Sequence, residues 1–317
     1  MLGRLVADVL FARGSGLLRA GKTRRALPQL ALAARLASSN AHYFEAAALA
    51  ASLSGERDKA VRYCERAVQL APDLEGAHQL LFKLFLHGDD YFHLLARMHE
   101  HLKPRTYVEI GVETGASMRF VRPGTLALGV DPAPAISYPL PAGARVFAET
   151  SDEFFSRRDV RAELGGHPVD LALIDGMHYF EFALRDFMNL ERLCTPDSTI
   201  LIHDCFPHDR RTAQRERVSR FWSGDVWRLV VLLKKYRPDL QIHVVAAPPT
   251  GLGVVRNLDP ASHFIAENLG RLYQEFMALD YAFLEKDRAG KLNLFPNDWE
   301  QVRRLLGGGA AQSAGQL

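Results

Sequence analysis

The sequence predicts an α/β protein of the Rossmann-like kind, a mostly parallel sheet closed by an antiparallel hairpin and preceded by an all-α helical array. Three observations predict this. A pattern of small and apolar residues recurs at a fixed offset in the first third of the chain. From Arg105 onward short apolar runs alternate with amphipathic stretches, the rhythm of strand, loop and helix. Near Gln241 two apolar runs are joined by only Ala247-Pro248-Pro249-Thr250, a link that can join antiparallel strands but cannot cross over to make a parallel pair.

Composition narrows the function classes. A length of 317 residues suits about two domains, and 48% hydrophobic with 24% charged residues is ordinary for a globular protein. The formal net charge of +2 gives no electrostatic footprint for nucleic acid or a membrane surface. Cys64, Cys194 and Cys205 are too few and too scattered for a disulfide framework or a four-ligand zinc site, which suits a reducing cytoplasm. Asp8 interrupts the apolar start of the chain, so no secretory signal is expected, and no apolar run reaches the roughly 18 residues of a membrane span.

The helical array comes first. Residues 21–37 (GKTRRALPQLALAARLA) and 55–71 (GERDKAVRYCERAVQLA) share one pattern at an offset of 34, with Ala26 matched to Ala60, Ala33 to Ala67 and Leu36 to Leu70. Thirty-four is the period of tetratricopeptide repeats, in which small residues fall where paired helices approach closely. A divergent third unit, residues 73–103, is dense in Leu84, Phe85, Leu86 and Leu95 and is expected to cap the array, giving six helices over residues 1–103. Such an array offers a concave surface to a protein partner, to a second copy or to an extended substrate. The alternative is a helical rest that stabilises the domain that follows.

That domain is expected over residues 104–260. Strands are predicted at Thr106 to Ile110, Leu126 to Val130, Ala144 to Ala148, a run ending at Asp175, and a run ending at His203-Asp204, with the hairpin making seven. In an open sheet of this kind ligands bind beyond the carboxyl ends of the strands. Glu109, Asp131, Asp152, Asp175 and Asp204 all fall at or just after such ends. Phe180, Ala183, Phe187, Leu190 and Cys194 make the apolar stripe of one helix, and Asp225 is expected to cap another whose face includes Val226, Leu229, Val230, Leu233 and Tyr236.

Around Tyr107 to Ser117 the chain reads Y-V-E-I-G-V-E-T-G-A-S, where Gly111 and Gly115 allow sharp backbone turns beside a ligand. Asp131 follows Gly111 by 20 residues, the separation at which a ribose-binding carboxylate sits in nucleotide-binding α/β folds. Loop and acid together read as a nucleotide cradle.

With the hairpin, these features resemble the class I S-adenosylmethionine-dependent methyltransferases more than the dinucleotide dehydrogenases. E-I-G-V-E-T-G at 109–115 resembles that family's first motif, with Glu113 where many members have a third glycine. I-D-G-M-H-Y-F-E at 174–181 is similar to the I-D-G-x-H-x-[YF]-E signature of a bacterial branch. The H-D at 203–204, the stretch 224–240 and P-T-G-L-G-V-V at 249–255 resemble further segments of that branch, so the likeness covers about residues 104–260.

The resemblance implies S-adenosyl-L-methionine as methyl donor and a sugar, glycan or secondary metabolite as oxygen acceptor. Gly111 and Gly115 would then approach the methionine part of the donor, Glu109 its ammonium, Asp131 the ribose hydroxyls, and Ser151 or Asp152 the adenine, unless Asp152 caps the helix beginning near Glu153. Asp175 and Asp204, joined by His203, His178 or waters, would converge on a hard cation such as Mg²⁺, although several related metal-dependent enzymes carry a further acid where this chain has Met177. His178, with Asp175, becomes the candidate to take the acceptor's proton.

Two other readings stand beside this one. The glycine loop with Asp131 also suits a nicotinamide-dependent oxidoreductase, against which stand the incomplete G-x-G-x-x-G and the hairpin; a methyltransferase fold that serves as an inactive scaffold is the other. Arg210, Arg211, Arg215, Arg217 and Arg220 read as a solvated face or as a lid over an anionic acceptor. Beyond residue 260, helices are expected at Ser262 to Leu284 and Trp299 to Leu306 in an extension over 261–306, with a disordered tail from Gly307 to Leu317.

Overall fold

The computed structural model describes residues 2–217 and 222–307, which fall into two compact units, residues 2–87 with Arg217 and Trp222 in the first and 88–216 with 223–307 in the second. Arg220 and residues 308–317 of the expected tail lie outside the described residues.

The first unit is a run of helices, α1 (Leu2–Arg19), α2 (Thr23–Leu36), α3 (Ala41–Leu53), α4 (Arg57–Leu70) and α5 (Glu75–Phe85). Ala26, Ala33, Ala60 and Ala67, the small residues of the repeated pattern, are fully buried. A methyl group at these positions lets neighbouring helices close up and removes apolar area from water. A cavity of about 590 Å³ is lined by Phe11, Leu18, Tyr43, Leu49 and Leu80 of α1, α3 and α5.

The second unit begins with α6 (Tyr91–Leu102), the helix that the sequence reading counts with the array. Asp90 caps it, accepting the amide of His93 at 2.9 Å. There follow β1 (Thr106–Ile110), β2 (Leu126–Val130), β3 (Ala144–Phe147), α7 (Ser151–Arg157), α8 (Val160–Glu163), β4 (Leu171–Ile174), α9 (Phe180–Glu191) and β5 (Thr199–Ile202). Then come α10 (Trp227–Tyr236), β6 (Gln241–Val245), β7 (Leu252–Arg256), α11 (Phe264–Met277), α12 (Ala282–Glu285), α13 (Arg288–Lys291), β8 (Leu294–Phe295) and α14 (Trp299–Gly307).

The strands form one sheet in the order β3-β2-β1-β4-β5-β7-β6-β8. β3, β2, β1, β4 and β5 run parallel, and β7 is antiparallel to both β5 and β6, as the short link requires. Among the described residues the sheet has eight strands where seven are expected. The extra strand, β8, pairs Leu294 with Val244 and Phe295 with Val245 at the outer edge, and two residues are too short to announce a strand by their pattern. The long helix expected up to Leu284 is two, because the Asp280 side chain accepts the Ala282 amide at 2.7 Å and starts a new turn.

Register positions the site. Val130, Ile110, Ile174 and Ile202, the last residues of β2, β1, β4 and β5, lie level across the sheet. β1, β4 and β5 are buried along their whole length, as strands of a parallel sheet covered on both faces should be. Leu94, Leu95 and Met98 of α6 and Val302 of α14 share a core cluster with Tyr107, Leu171 and Leu201. Each fully buried Leu or Val side chain stabilises the fold by about 1.5–3 kcal/mol. No described helix is long and apolar enough to cross a membrane.

Candidate functional site

Because the four strands end level, the residues that follow them stand along one edge of the sheet. Gly111 takes φ 89°, and a Cβ there would collide with the carbonyl of Asp175 and the Cα of Gly176. Its missing side chain therefore lets the ends of β1 and β4 close together. Gly115, at φ 80°, lies beneath Ile136 and Leu140 of the loop after β2. That loop is stitched to the glycine loop by Ala135 N–H to the Glu113 carbonyl (2.8 Å) and Ser137 N–H to the Thr114 carbonyl (3.0 Å).

Asp131 holds the same two loops together. Its Oδ2 accepts the amides of Val112 (3.0 Å) and Glu113 (2.7 Å), and its Oδ1 accepts that of Ala133 (2.8 Å). A carboxylate has about four acceptor directions, so these three bonds leave one. Glu113 sits at φ 45°, where glycine is the usual residue, with its side chain exposed.

Glu109 is fully buried. Tyr107 donates its hydroxyl to Oε2 at 2.6 Å, and Ser117 donates to Oε1. Burial pushes the carboxyl up to about 8, although both hydroxyls favour the charged form. Tyr107 stands two residues before Glu109, on the same face of β1, a pairing legible in the period of a strand.

The segment after β3 is engaged by its neighbours. Thr150, rather than Asp152, caps α7, its hydroxyl oxygen accepting the Glu153 amide at 3.2 Å while Glu153 returns a bond to the Thr150 amide. Asp152 is held by Arg185 of α9 through two bonds of 2.9 and 2.7 Å. Ser151 bonds to Asp186, whose carboxyl burial pushes up to about 7 against that bond.

Beyond β4 and β5 the structure brings together Asp175, His178, His203 and Asp204. His203 Nδ1 is 3.0 Å from Asp175 Oδ1 and 3.2 Å from Asp204 Oδ2, and its Nε2 is 3.3 Å from the hydroxyl of Thr250. His178 Nδ1 is 3.0 Å from Asp204 Oδ2, and Nε2 is 3.8 Å from Asp175 Oδ1. His178 and Asp204 adopt φ of 57° and 59°, left-handed backbone that is strained for residues with a Cβ and that clusters at functional sites.

The charges in this cluster sustain one another. Burial opposes the cationic form of both histidines, but the Asp204 and Asp175 carboxylates outweigh it and hold both imidazoles above their ordinary range. Asp204 is fully buried, which disfavours its charge, yet the two histidines hold its carboxyl far below the usual value. A cavity of about 10 Å³ between these groups has room for one water or one ion. Asp175, His178 and Asp204 each offer an atom within 4.8 Å of the others, a spacing a cation could bridge. His203, counted with the ligands in the sequence reading, instead has Nδ1 turned to the two carboxylates.

Three further residues, Tyr91, Thr250 and Asp225, complete this edge. Asp225 accepts the Phe180 amide at 2.7 Å, and its own amide bonds to the carbonyl of His178 at 3.1 Å. It therefore caps α9 from 45 residues away in sequence and not the helix that follows it, since α10 begins at Trp227 with no side-chain cap. Arg215 bonds to Glu181 at 2.6 Å and to Asp225 at 2.9 Å, and Arg210 pairs with Asp280 at 3.2 Å, so both arginines are tied into ion pairs.

Known proteins resemble the chain in part. No curated protein matches it. Among solved structures, cofactor-bound Rv0187 from MTB is 14% identical with a TM-score of 0.41, over 60% of this chain and 94% of that one. The O-methyltransferase TomG of Streptomyces achromogenes, described in complex with SAM, is 14% identical with a TM-score of 0.39, over 64% and 90%. An O-methyltransferase from Bacillus cereus, described in complex with SAH, is 11% identical with a TM-score of 0.38, over 60% and 94%. Residues 108–205, which hold the glycine loop, Asp131 and the Asp175–Asp204 cluster, match the family model described as a methyltransferase domain.

Proposed function

We propose that the chain is an S-adenosylmethionine-dependent methyltransferase that moves the methyl group to an oxygen of a small-molecule or glycan acceptor, such as a sugar or secondary metabolite. The observation that carries this reading is the level edge of β2, β1, β4 and β5. It sets the glycine loop with Asp131 beside the Asp175–His178–Asp204 cluster, in a segment matched by a methyltransferase domain.

Methyl transfer is an in-line displacement: the acceptor oxygen forms a bond to the methyl carbon, the carbon–sulfur bond breaks, and S-adenosylhomocysteine leaves. The protein's work is alignment and removal of the hydroxyl proton. Glu109 faces the donor ammonium, and Asp131, with one acceptor direction left, takes one ribose hydroxyl. Ser151 and Asp152 border the adenine. His178 in its neutral form accepts the acceptor's proton, and Asp204 and Asp175 stabilise the resulting imidazolium. A Mg²⁺ ion held by the carboxylates of Asp175 and Asp204 would supply Lewis acidity to a bound hydroxyl, leaving His178 free as the base.

The helical array is proposed, as a tetratricopeptide-like unit, to dock a protein partner or a second copy along the cavity lined by Phe11, Tyr43 and Leu80. Three buried free thiols suit a reducing cytoplasm.

Calorimetric titration with S-adenosylhomocysteine and, separately, with NAD tests the donor. Binding of the first is expected, and binding of NAD alone would sink the reading in favour of an oxidoreductase. A panel of hydroxyl acceptors with labelled donor, run with Mg²⁺ and with EDTA, then tests transfer. Donor binding without transfer, while a protein copurifies with the full chain, would favour the scaffold.

A further inference from the structure

The sequence reading counts residues 91–102 with the repeats, yet the first residue of α6 reaches the site. The hydroxyl of Tyr91 lies 3.5 Å from Asp175 Oδ2, and its ring centroid lies 4.0 Å from that of His203 at an interplanar angle of 32°. Its backbone is fixed from two directions. The Tyr91 amide donates to the Pro248 carbonyl at 3.0 Å, two residues before the Thr250 that meets His203. Just upstream, the carbonyl of Asp89 accepts from the Asn297 side chain at 2.7 Å. Tyr91 is therefore held by the β6–β7 link and by the segment before α14.

Its phenol is a dedicated donor. A phenylalanine would pack the same ring against His203. The hydroxyl, by contrast, is set in a mostly buried place beside one acid, where leaving it without an acceptor would be costly. Asp175 is then gripped on both oxygens, by His203 at Oδ1 and Tyr91 at Oδ2, and His203 is confined at both ring nitrogens and on one face.

We propose that Tyr91 is a positioning residue of the site: its hydroxyl fixes the Asp175 carboxylate and its ring fixes His203, so that α6 is part of the active-site wall. The proposal deepens the methyltransferase reading, on which only its catalytic consequence rests. With Asp175 free to rotate about χ, the charge facing His178 Nε2 would no longer be set.

The test compares Tyr91→Phe and Tyr91→Leu with the parent in the full chain, with EDTA present. The readouts are ¹⁵N-histidine NMR, with His203 assigned through His203→Gln, and calorimetry with S-adenosylhomocysteine. Tyr91→Phe is expected to melt as the parent does, to bind S-adenosylhomocysteine within about twofold of it, and to shift the His203 ring resonances. Tyr91→Leu should shift them further. With an acceptor that turns over, Tyr91→Phe should lower kcat about 5–20-fold with KM for the donor unchanged. If Tyr91→Phe leaves the His203 resonances where they are, the proposal is overturned. If the parent does not bind S-adenosylhomocysteine, the methyltransferase reading fails while the resonances still decide the role of Tyr91.

Discussion

Nδ1 of His178 lies 3.0 Å from Oδ2 of Asp204, although the two residues follow different strands. Burial weakens the imidazole as a base, but Asp204 and then Asp175 more than reverse this, so its pKa stands above the ordinary histidine value. A general base must be neutral to act, so methyl transfer should rise with pH through that raised pKa. Asp204→Asn removes the nearest carboxylate, and the inflection should move to lower pH while the limiting rate falls about 10–100-fold. The pH dependence of single-turnover transfer checks both. An inflection that stays in place would show that His178 is not the base, and activity indifferent to EDTA and to Asp204→Ala would contradict a catalytic ion.

Glu109 carries a second pH signature. Burial sets its folded-state pKa at about 8, above the ordinary 4.5. Between those values the folded chain holds a proton that the unfolded chain has released, so stability falls as pH rises from about 4.5 to about 8. The whole loss is on the order of 2–5 kcal/mol. Glu109→Gln, which cannot ionise, should flatten that decline in urea-midpoint measurements and be more stable than the parent at pH 8. The same variant should lose about tenfold in affinity for S-adenosylhomocysteine above pH 8, where the parent carboxylate is charged, and little at neutral pH, where both side chains are neutral. A parent whose urea midpoint does not fall across this window would contradict the buried, protonated state.

Glu113 and Asp131 should respond in opposite directions. Glu113 sits at φ 45°, so Glu113→Gly removes the left-handed strain of a side chain and should stabilise by about 1 kcal/mol. Glu113→Val should destabilise, because a β-branched residue tolerates that region worst. Asp131→Asn keeps one oxygen as acceptor but turns an NH₂ toward the backbone N–H that the other oxygen accepts, and a loss of about 1–3 kcal/mol is expected with weaker S-adenosylhomocysteine binding. Chemical denaturation of the three variants is the measurement; a Glu113→Gly chain no more stable than the parent would mean that the loop holds no strain there.

What was legible in the sequence was what is local. Asp131 and Asp175 each end a continuous apolar run and Asp204 follows another after one histidine, and a parallel strand buried on both faces writes that pattern into consecutive residues. The antiparallel β6–β7 pair followed from the length of one link. Contacts made by packing were not legible: Asp152 finds Arg185 33 residues away, and Asp225 finds the amide of Phe180, which no spacing rule anticipates. The pattern of α6 groups it with the repeats because an amphipathic helix shows that it has an apolar face, not which unit that face covers. The αL backbone of His178 and Asp204 is likewise imposed from outside, since neither residue type demands it.

Asp225 is the part of the site most sensitive to loss. It is fully buried, accepts the Phe180 amide, and neutralises Arg215 and Arg228, which lie against it. Removing Asp225 leaves Arg228 without its carboxylate while Arg215 keeps Glu181, and stripping a buried charge of its partner costs about 3–5 kcal/mol. Arg215 is about one-third exposed and recovers solvation, whereas Arg228 is only 13% exposed and does not. Asp225→Ala should therefore lower Tm by about 6–15 °C, measured by calorimetry. It should also loosen the start of α9, since the Phe180 amide is left without its cap and the backbone at His178 loses its outer support. Hydrogen exchange at residues 178–182 would then rise by more than the global destabilisation explains. Uniform acceleration across the second unit would instead mean that Asp225 serves stability alone.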